Sequence, residues 1–412
     1  MPESNRQTAR ANPHGMRPKR VLMLHNFYRQ PGGEDTCFFA EVEMLRKQGD
    51  HVETVEVHND ETLQMSSATL AVNTIWNRRS YNLIAQRIAE SRPDVLHCHN
   101  IFPLLSPSVY YAAKRAGVPV VQTLHNYRLL CLKATFFREG RLCEACVGQA
   151  LPWRGVVQRC YHDSLKHSAS VASLLVLHRV LGTWRRQVDL FVAVSAFTRA
   201  KFLEGGFDPD RVVVKPNVLS VEPSPGRGEG GYALVVGRLS EEKGLATVLA
   251  AWRQSPANLP LLIVGDGPLR ALEQDLPPGA SIRFLGHRSR DEIYALMGSA
   301  TFLIAASEWY ETFGMSILEA FACGTPVIAA KIGAYTELVE ENVTGLLFQP
   351  GDADSLQNAV DRITASPHRL QAMRQAVRER FEERFSQRQN YGVLIAAYAA
   401  AEQAMHARKT AA

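Results

Sequence analysis

Ser307-Glu308-Trp309-Tyr310-Glu311-Thr312-Phe313-Gly314-Met315-Ser316-Ile317-Leu318-Glu319-Ala320-Phe321-Ala322-Cys323-Gly324-Thr325-Pro326-Val327-Ile328 is the stretch on which the reading of this chain turns. It reads as a loop, a short helix and the start of a buried strand. The helix begins near Gly314 and stops at a glycine cap, Gly324. Ile317, Leu318 and Phe321 face a core, which puts Glu319 on the helix and Glu311 on the loop before it. A glutamate is ordinarily a solvated or capping group. Here one carboxylate stands where it could accept from vicinal hydroxyls, and the other stands beside a helix N-terminus.

Outward from this stretch, short apolar runs alternate with helical patterns. Runs at Arg20–His25, Val52–Val57, Asp94–Cys98, Pro119–Leu124, Leu190–Val194 and Val212–Val214 predict strands. Helices are expected between them, at Glu34–Gln48 with Phe38, Phe39, Val42 and Leu45 on one side, at Tyr81–Glu90 and at Ser108–Ala116. The Pro- and Gly-rich segment 221–231 breaks the rhythm and reads as a linker. A second series follows, with strands at Tyr232–Val236, Leu261–Val264, Ile282–Leu285, Phe302–Ala305 and Pro326–Ala329. Alternation of this kind means βαβ units and parallel sheets. The expected organisation is a disordered basic arm (1–18), a Rossmann-like domain (19–220) with an insertion (127–187), the linker, a second Rossmann-like domain (232–387) and a terminal helix (388–412) that packs back on the first domain. Ligands of such sheets sit at the carboxyl ends of the strands.

The bulk composition excludes several classes. With 412 residues the chain is too long for one ordinary core. Lys and Arg exceed Asp and Glu by 46 − 41 = 5, too few to imply nucleic acid but enough to favour an anionic surface or a phosphorylated ligand. No apolar run is long enough to span a bilayer, and Met1–Arg20 has no h-region of a secretory signal. Seven cysteines without an export signal place the chain in the cytoplasm.

Three loops end strands in the second half. Gly237-Arg238-Leu239-Ser240-Glu241-Glu242-Lys243-Gly244 gathers backbone N–H groups and two cations, a setting for phosphate. Val264-Gly265-Asp266-Gly267-Pro268 is less distinctive. The third is the opening stretch. From Gly237 to Asp352 the chain resembles the donor domain of retaining family-4-type glycosyltransferases (glycosyl transferases group 1), which have the GT-B fold of two Rossmann-like domains facing across a cleft. Their hallmark is two glutamates separated by seven residues and followed by a Gly-Thr-Pro-Val strand, as in Glu311, Glu319 and Gly324-Thr325-Pro326-Val327. The resemblance continues through Glu337 and Thr344–Phe348. It implies that Arg238 and Lys243 bind the donor diphosphate, that Gly314, Met315 and Ser316 offer it backbone N–H groups, that Glu319 binds the ribose, and that Glu311 contacts the transferred sugar as a catalytic residue. The chain departs from the family at Thr312, where glycine is common, and at Ile332-Gly333, where paired glycines are common.

In the first half, Pro31-Gly32-Gly33-Glu34-Asp35 follows the first strand and opens a helix. By resemblance, Gly33 lets the backbone approach the donor phosphate. His97 and His99 share a strand face, and a metal reading of them lacks a third ligand of helpful spacing. By resemblance His125 lines the cleft near the transferred sugar as a catalytic residue, with His99 second. The insertion holds Cys131, Cys143, Cys146 and Cys160, which read either as a structural zinc site or as four separate thiols. Tyr161–Gln187 interleaves basic and apolar residues and reads either as a core-packed helix, the preferred reading, or as an interfacial one.

The expected function is transfer of a sugar from a UDP- or GDP-sugar to a saccharide or lipid-linked acceptor, for surface polysaccharide or glycoconjugate synthesis at the inner face of the membrane. No cofactor beyond the nucleotide-sugar is implied. The alternative is a catalytically inactive GT-B nucleotide-sugar-binding module, against which the intact Arg238, Lys243, Glu311 and Glu319 argue.

Overall fold

The computed structural model describes residues 17–30, 32–254, 259–277 and 279–410. The arm expected at 1–18 falls outside the described residues as far as position 16. At its end, Arg17 pairs with Asp94 at 2.8 Å and Lys19 with Glu402 at 2.5 Å.

Fourteen strands form among the described residues. The first half contributes β1 (Arg20–Phe27), β2 (His51–His58), β3 (Val95–Asn100), β4 (Val120–Leu124), the short β5 (Phe137–Arg138) and β6 (Arg141–Leu142), β7 (Leu190–Ala193) and β8 (Val212–Val214). The second half contributes β9 (Ala233–Val236), β10 (Leu261–Val264), β11 (Ile282–Gly286), β12 (Phe302–Ala305), β13 (Val327–Ala330) and β14 (Gly345–Phe348). Two six-stranded sheets result, ordered β2-β1-β3-β4-β7-β8 and β11-β10-β9-β12-β13-β14, and β5 and β6 make a separate hairpin. Every pairing within the two large sheets is parallel, and helices cover both faces of each, as parallel sheets require. The second sheet has the Rossmann order. Strand order reverses between β1 and β3 in the first sheet and between β9 and β12 in the second. Those reversals open crevices at the carboxyl ends.

Some expectations shift. Phe39 is 50% exposed, because it lies one residue round the helix Gly33–Lys47 from the buried Phe38, Val42 and Leu45. β3 runs on through His99 and Asn100, whose polar side chains are fully enclosed. β14 and the hairpin were not foreseen, and β5 and β6, of two residues each, are too short to show a pattern.

The main chain passes between the halves twice. The first passage, after Ser220, is fixed rather than loose. Gly226 N–H donates to the Cys323 carbonyl at 2.9 Å, Gly228 N–H to Gly298 at 3.0 Å, and Gly230 N–H to Ser299 at 2.8 Å. The second passage lies at Phe385–Gln387, between the helices Pro367–Arg384 and Gln387–Thr410. The last helix inserts Tyr391, Leu394, Ile395 and Tyr398 into the core of the first sheet. Side chains tie the passages together. Gln387 donates to the carbonyls of Leu219 and Ser220 at 2.8 Å each, and Asn390 to those of Pro216 and Asn217 at 3.0 and 3.2 Å.

A Cβ at position 226 would stand 2.2 Å from the Gly298 carbonyl oxygen, which is backbone and cannot swing aside. Gly226→Ala should therefore lower stability by about 1–3 kcal/mol. Gly392→Ala, in open space on the last helix, should raise it by about 0.5–1 kcal/mol. Thermal denaturation checks both signs.

Candidate active site

The reversal between β9 and β12 explains which residues meet. The loop after β9 carries Lys243 and the loop after β12 carries Glu311. The strands are neighbours, so the loops are too, and Lys243 Nζ lies 2.5 Å from Glu311 Oε1. Ser307 donates to the same oxygen at 2.8 Å, and Lys243 Nζ sits 5.5 Å above the Trp309 ring. Burial would raise the Glu311 carboxyl, but the Lys243 charge and hydrogen bonds outweigh it and hold the pKa below the usual range. Close packing of the loops depends on glycine. A Cβ at Gly244 would be 2.0 Å from the Ala306 carbonyl, and Gly244 has φ of +69°. Arg238 does not join the pair. It binds Glu242 at 2.6 Å and stays more than half exposed.

Glu319 lies on the helix Met315–Ala322 and is partly buried. Among the described residues its carboxylate has no hydrogen-bond partner. Burial pushes its pKa up to about 7, opposed only by Arg290. Gly314, with φ of +123°, caps the start of this helix. Opposite it begins the helix Gly33–Lys47, and the two N-termini approach closely: a Cβ on Gly33 would be 3.3 Å from Met315 Cγ. Each N-terminus carries unpaired N–H groups and the positive end of a dipole, so an anion between them would be held from both halves.

Other contacts close the cleft. Thr312 donates from its hydroxyl to the His125 carbonyl at 3.0 Å and accepts at its own carbonyl from Thr198 at 3.0 Å. Glu337 accepts from Ala196 N–H and Phe197 N–H at 3.0 and 3.1 Å, capping the helix Ala196–Glu204 of the other half. The Thr312 side chain, the departure from family pattern, thus serves as a contact between halves.

His125 heads a buried polar chain. Its Nε2 lies 2.9 Å from His99 Nδ1, and His99 Nε2 faces Glu41 Oε2 at 3.4 Å. The other oxygen of Glu41 pairs with Lys215, and both residues are 1% exposed. Desolvation holds His99 and His125 neutral. Burial favours the neutral form of Glu41 too, but Lys215 outweighs it and keeps the carboxylate. Each neutral ring carries one N–H, so one of His99 and His125 donates and the other accepts in their 2.9 Å contact, with His99 Nε2 facing the carboxylate without a hydrogen bond to it. Near the cleft, burial raises Glu34 to about 7, and Asn126 donates to it at 3.2 Å.

Glu41 also supplies the third ligand group that a metal reading of His97 and His99 lacked. The geometry still disfavours an ion there. His97 is engaged at both nitrogens, by Tyr398 at 2.9 Å and Thr123 at 2.8 Å, and Lys215 already occupies the Glu41 carboxylate. The Asp-x-Asp triplets at 208–210 and 352–354 are equally unavailable, since Asp208 and Asp352 cap helices. The sequence reading missed Glu41, Lys215 and Arg290. Glu41 had a signal: it falls between Phe38 and Leu45 on the core face of its helix.

Because Glu319 has a pKa raised above its unfolded value, the folded state binds the extra proton between about pH 4.5 and 7, and stability falls as pH rises through that window. Glu319→Gln should flatten that part of the profile, read as thermal midpoints from pH 5 to 7.5.

The family described as glycosyl transferases group 1 matches residues 222–380, and the glycosyl transferase 4-like domain matches residues 31–218. The D-inositol 3-phosphate glycosyltransferase of Acidothermus cellulolyticus is 29% identical over 313 residues, 68% of this chain and 62% of that protein. The phosphatidyl-myo-inositol mannosyltransferase of Propionibacterium freudenreichii subsp. shermanii is 31% identical over 224 residues, 50% of this chain and 56% of that one. This chain therefore spans less than two thirds of the length of either relative. Among solved structures, Anabaena HepE in complex with UDP is similar at a TM-score of 0.66 and 19% identity, covering 92% of this chain and 99% of that one. The sucrose-phosphate synthase of Thermosynechococcus elongatus has the same TM-score at 18% identity, covering 96% and 100%. These two similarities bear on the fold, and the matches to both halves bear on the family. The chain belongs to the family-4-type glycosyltransferases, which have the GT-B fold.

Proposed function

We propose that the protein is a retaining glycosyltransferase that moves a sugar from a UDP- or GDP-sugar to a saccharide or lipid-linked acceptor, in the building of surface polysaccharide or glycoconjugate. The observation that carries this reading is the Lys243–Glu311 pair beside two facing helix N-termini. In this reading the half 232–387 holds the donor and the half 19–220 presents the acceptor. The diphosphate takes Lys243, with the N–H groups of Gly314, Met315 and Ser316 and the Gly33 backbone around it, and Arg238 turns in from Glu242. Glu319 accepts from the ribose hydroxyls. Glu311, released from Lys243, holds a hydroxyl of the transferred sugar, and His125 Nδ1 hydrogen-bonds to another. The sugar C1–O bond to phosphate breaks as the acceptor oxygen bonds to C1 on the same face, and the acceptor proton passes to the leaving phosphate. Stabilisation of that phosphate is the main catalytic effect.

The acceptor's place is a hollow at the ends of β3 and β4, lined by Phe102, His125, Arg128, Leu174 and Trp184 among others. The helix Leu165–Val180 gives Leu174 to that lining and buries Val171 and Leu175 beside it. The outer side of the same insertion supports work at a membrane surface. Trp153 is 53% exposed, Val157 65% and Val180 81%. Residues 148–187 carry six Lys or Arg and one acid, 6 − 1 = 5, equal to the surplus of the whole chain. Apolar side chains among cations suit an anionic lipid face. Among the described residues no helix is long and apolar enough to cross a membrane. A lipid-linked acceptor at the cytoplasmic face accords with the name of the phosphatidyl-myo-inositol mannosyltransferase relative, and a UDP-sugar with the HepE complex with UDP-glucose.

The test is a panel of UDP- and GDP-sugars incubated with lipid-linked and saccharide acceptors, read by product mass and by NMR of the new anomeric centre. One donor should give a product heavier by one glycosyl unit with configuration retained, and Lys243→Ala should slow it about 100-fold. An inverted product, or full activity in Lys243→Ala, would overturn the proposal.

A further inference from the structure

The insertion between β4 and β7 folds with little regular structure. Of nine non-glycine residues with left-handed φ among the described residues, six lie here: Ala134, Phe136, Glu139, Arg159, His162 and Asp163. Each costs about 1 kcal/mol or more. The segment 131–163 contributes only the hairpin β5–β6 and the five-residue helix Trp153–Val157 as regular elements. A small, strained lobe of this kind needs a cross-link to hold it.

Its cysteines sit where a cross-link would act. Cys131, Cys143, Cys146 and Cys160 line one small hollow, and all four are free thiols. They reach it from separate places. Cys131 is in the turn after β4, its N–H bonded to the Tyr127 carbonyl at 2.8 Å. Cys143 follows β6, its N–H bonded to the Phe136 carbonyl at 2.7 Å, and Cys146 stands three residues further on. Cys160 follows the helix Trp153–Val157, its N–H bonded to the Gly155 carbonyl at 3.0 Å. Gly155 presses its backbone on the cluster: a Cβ there would be 3.3 Å from Cys146 Sγ and 2.8 Å from Leu132 Cδ1. The hollow has no carboxylate in its lining, but Lys133 and Arg138 border it. Four thiolates around a divalent ion leave two negative charges, which two cations offset.

We propose that these four cysteines bind a structural zinc ion. Tetrahedral coordination by four cysteines, one pair spaced as Cys-x-x-Cys, is a common structural zinc site. Among the described residues no three of the sulfurs lie within 4.8 Å of one another, so an ion at about 2.3 Å from each draws the ring inward. The site bears on the cleft. The Phe136 ring lies 6.4 Å from that of Tyr310, the residue before Glu311. Glu144, between the paired cysteines, binds Lys201 at 3.0 Å, and Lys201 lies 5.4 Å from the Tyr310 ring. At the hairpin turn, a Cβ on Gly140 would be 3.3 Å from Glu241 Oε1 of the other half. The zinc lobe thus braces the loop that carries Glu311.

The full chain, purified without a polyhistidine tag or chelator, is assayed for zinc by mass spectrometry and for thiols before and after an organomercurial. About one zinc per chain is expected, with mercurial release lowering the thermal midpoint. The double variant Cys143→Ser/Cys146→Ser should hold roughly a tenth as much zinc, while Cys98→Ala keeps it. Should the double variant fail to fold, cobalt exchanged into the wild type should show a thiolate-to-cobalt charge-transfer band. Wild-type protein with no zinc and four freely reactive thiols, an intact mass lighter by four hydrogens from two disulfides, or zinc retained in the folded double variant would each overturn the assignment.

Discussion

One ion pair organises the cleft. Lys243 and Glu311 are 68 residues apart, and they meet because β9 and β12 are hydrogen-bonded neighbours at the point where strand order reverses. The loops after these strands have the same crevice to fill. A partly buried lysine and carboxylate are costly apart and tolerable together, so each keeps the other in place until a stronger partner arrives. A diphosphate is such a partner for the lysine. Its arrival would leave Glu311 charged, hydrogen-bonded by Ser307 and turned toward whatever the diphosphate carries. The same argument makes Glu319 distinct: it has no cation at contact distance, and burial raises its pKa to about 7. It is the group with the most to gain from hydroxyl donors.

The opposite wall is built on a second buried pair, Lys215 with Glu41, beside a chain of histidines that burial keeps neutral and that ends in His125. The halves are held in register by contacts of different kinds. Gln387 and Asn390 fasten the two main-chain passages, Glu337 caps a helix across the interface, and Thr312 bonds to the backbone of His125. These contacts surround the space between the helix N-termini. Entry of a ligand would exchange some of them for contacts to the ligand.

Much of the fold was legible because parallel strands buried on both faces read as plain apolar runs. Val212–Val214, Leu261–Val264 and Phe302–Ala305 fall where the sequence put them. β3 was cut short because His99 and Asn100 look like loop residues, although each finds hydrogen-bonding groups inside the first half. The glutamates on either side of Gly314 were legible because their spacing is local. Pairings across the sheet were not: Lys215 meets Glu41 across 174 residues, and nothing near Val214 announces it. Arg238 was expected beside Lys243 on the strength of one loop, but it turns to Glu242 because that carboxylate is four residues away and Glu311 is already taken.

The account rests on Glu319 and Lys243 holding opposite ends of one nucleoside diphosphate. Calorimetric titration of UDP and of GDP into the wild type, Glu319→Gln and Lys243→Ala tests this directly. One nucleotide should bind the wild type and bind each variant about 10-fold or more weakly, the loss of one charge-assisted contact. Unchanged affinity in both variants, or no binding of either nucleotide to the wild type, would contradict it.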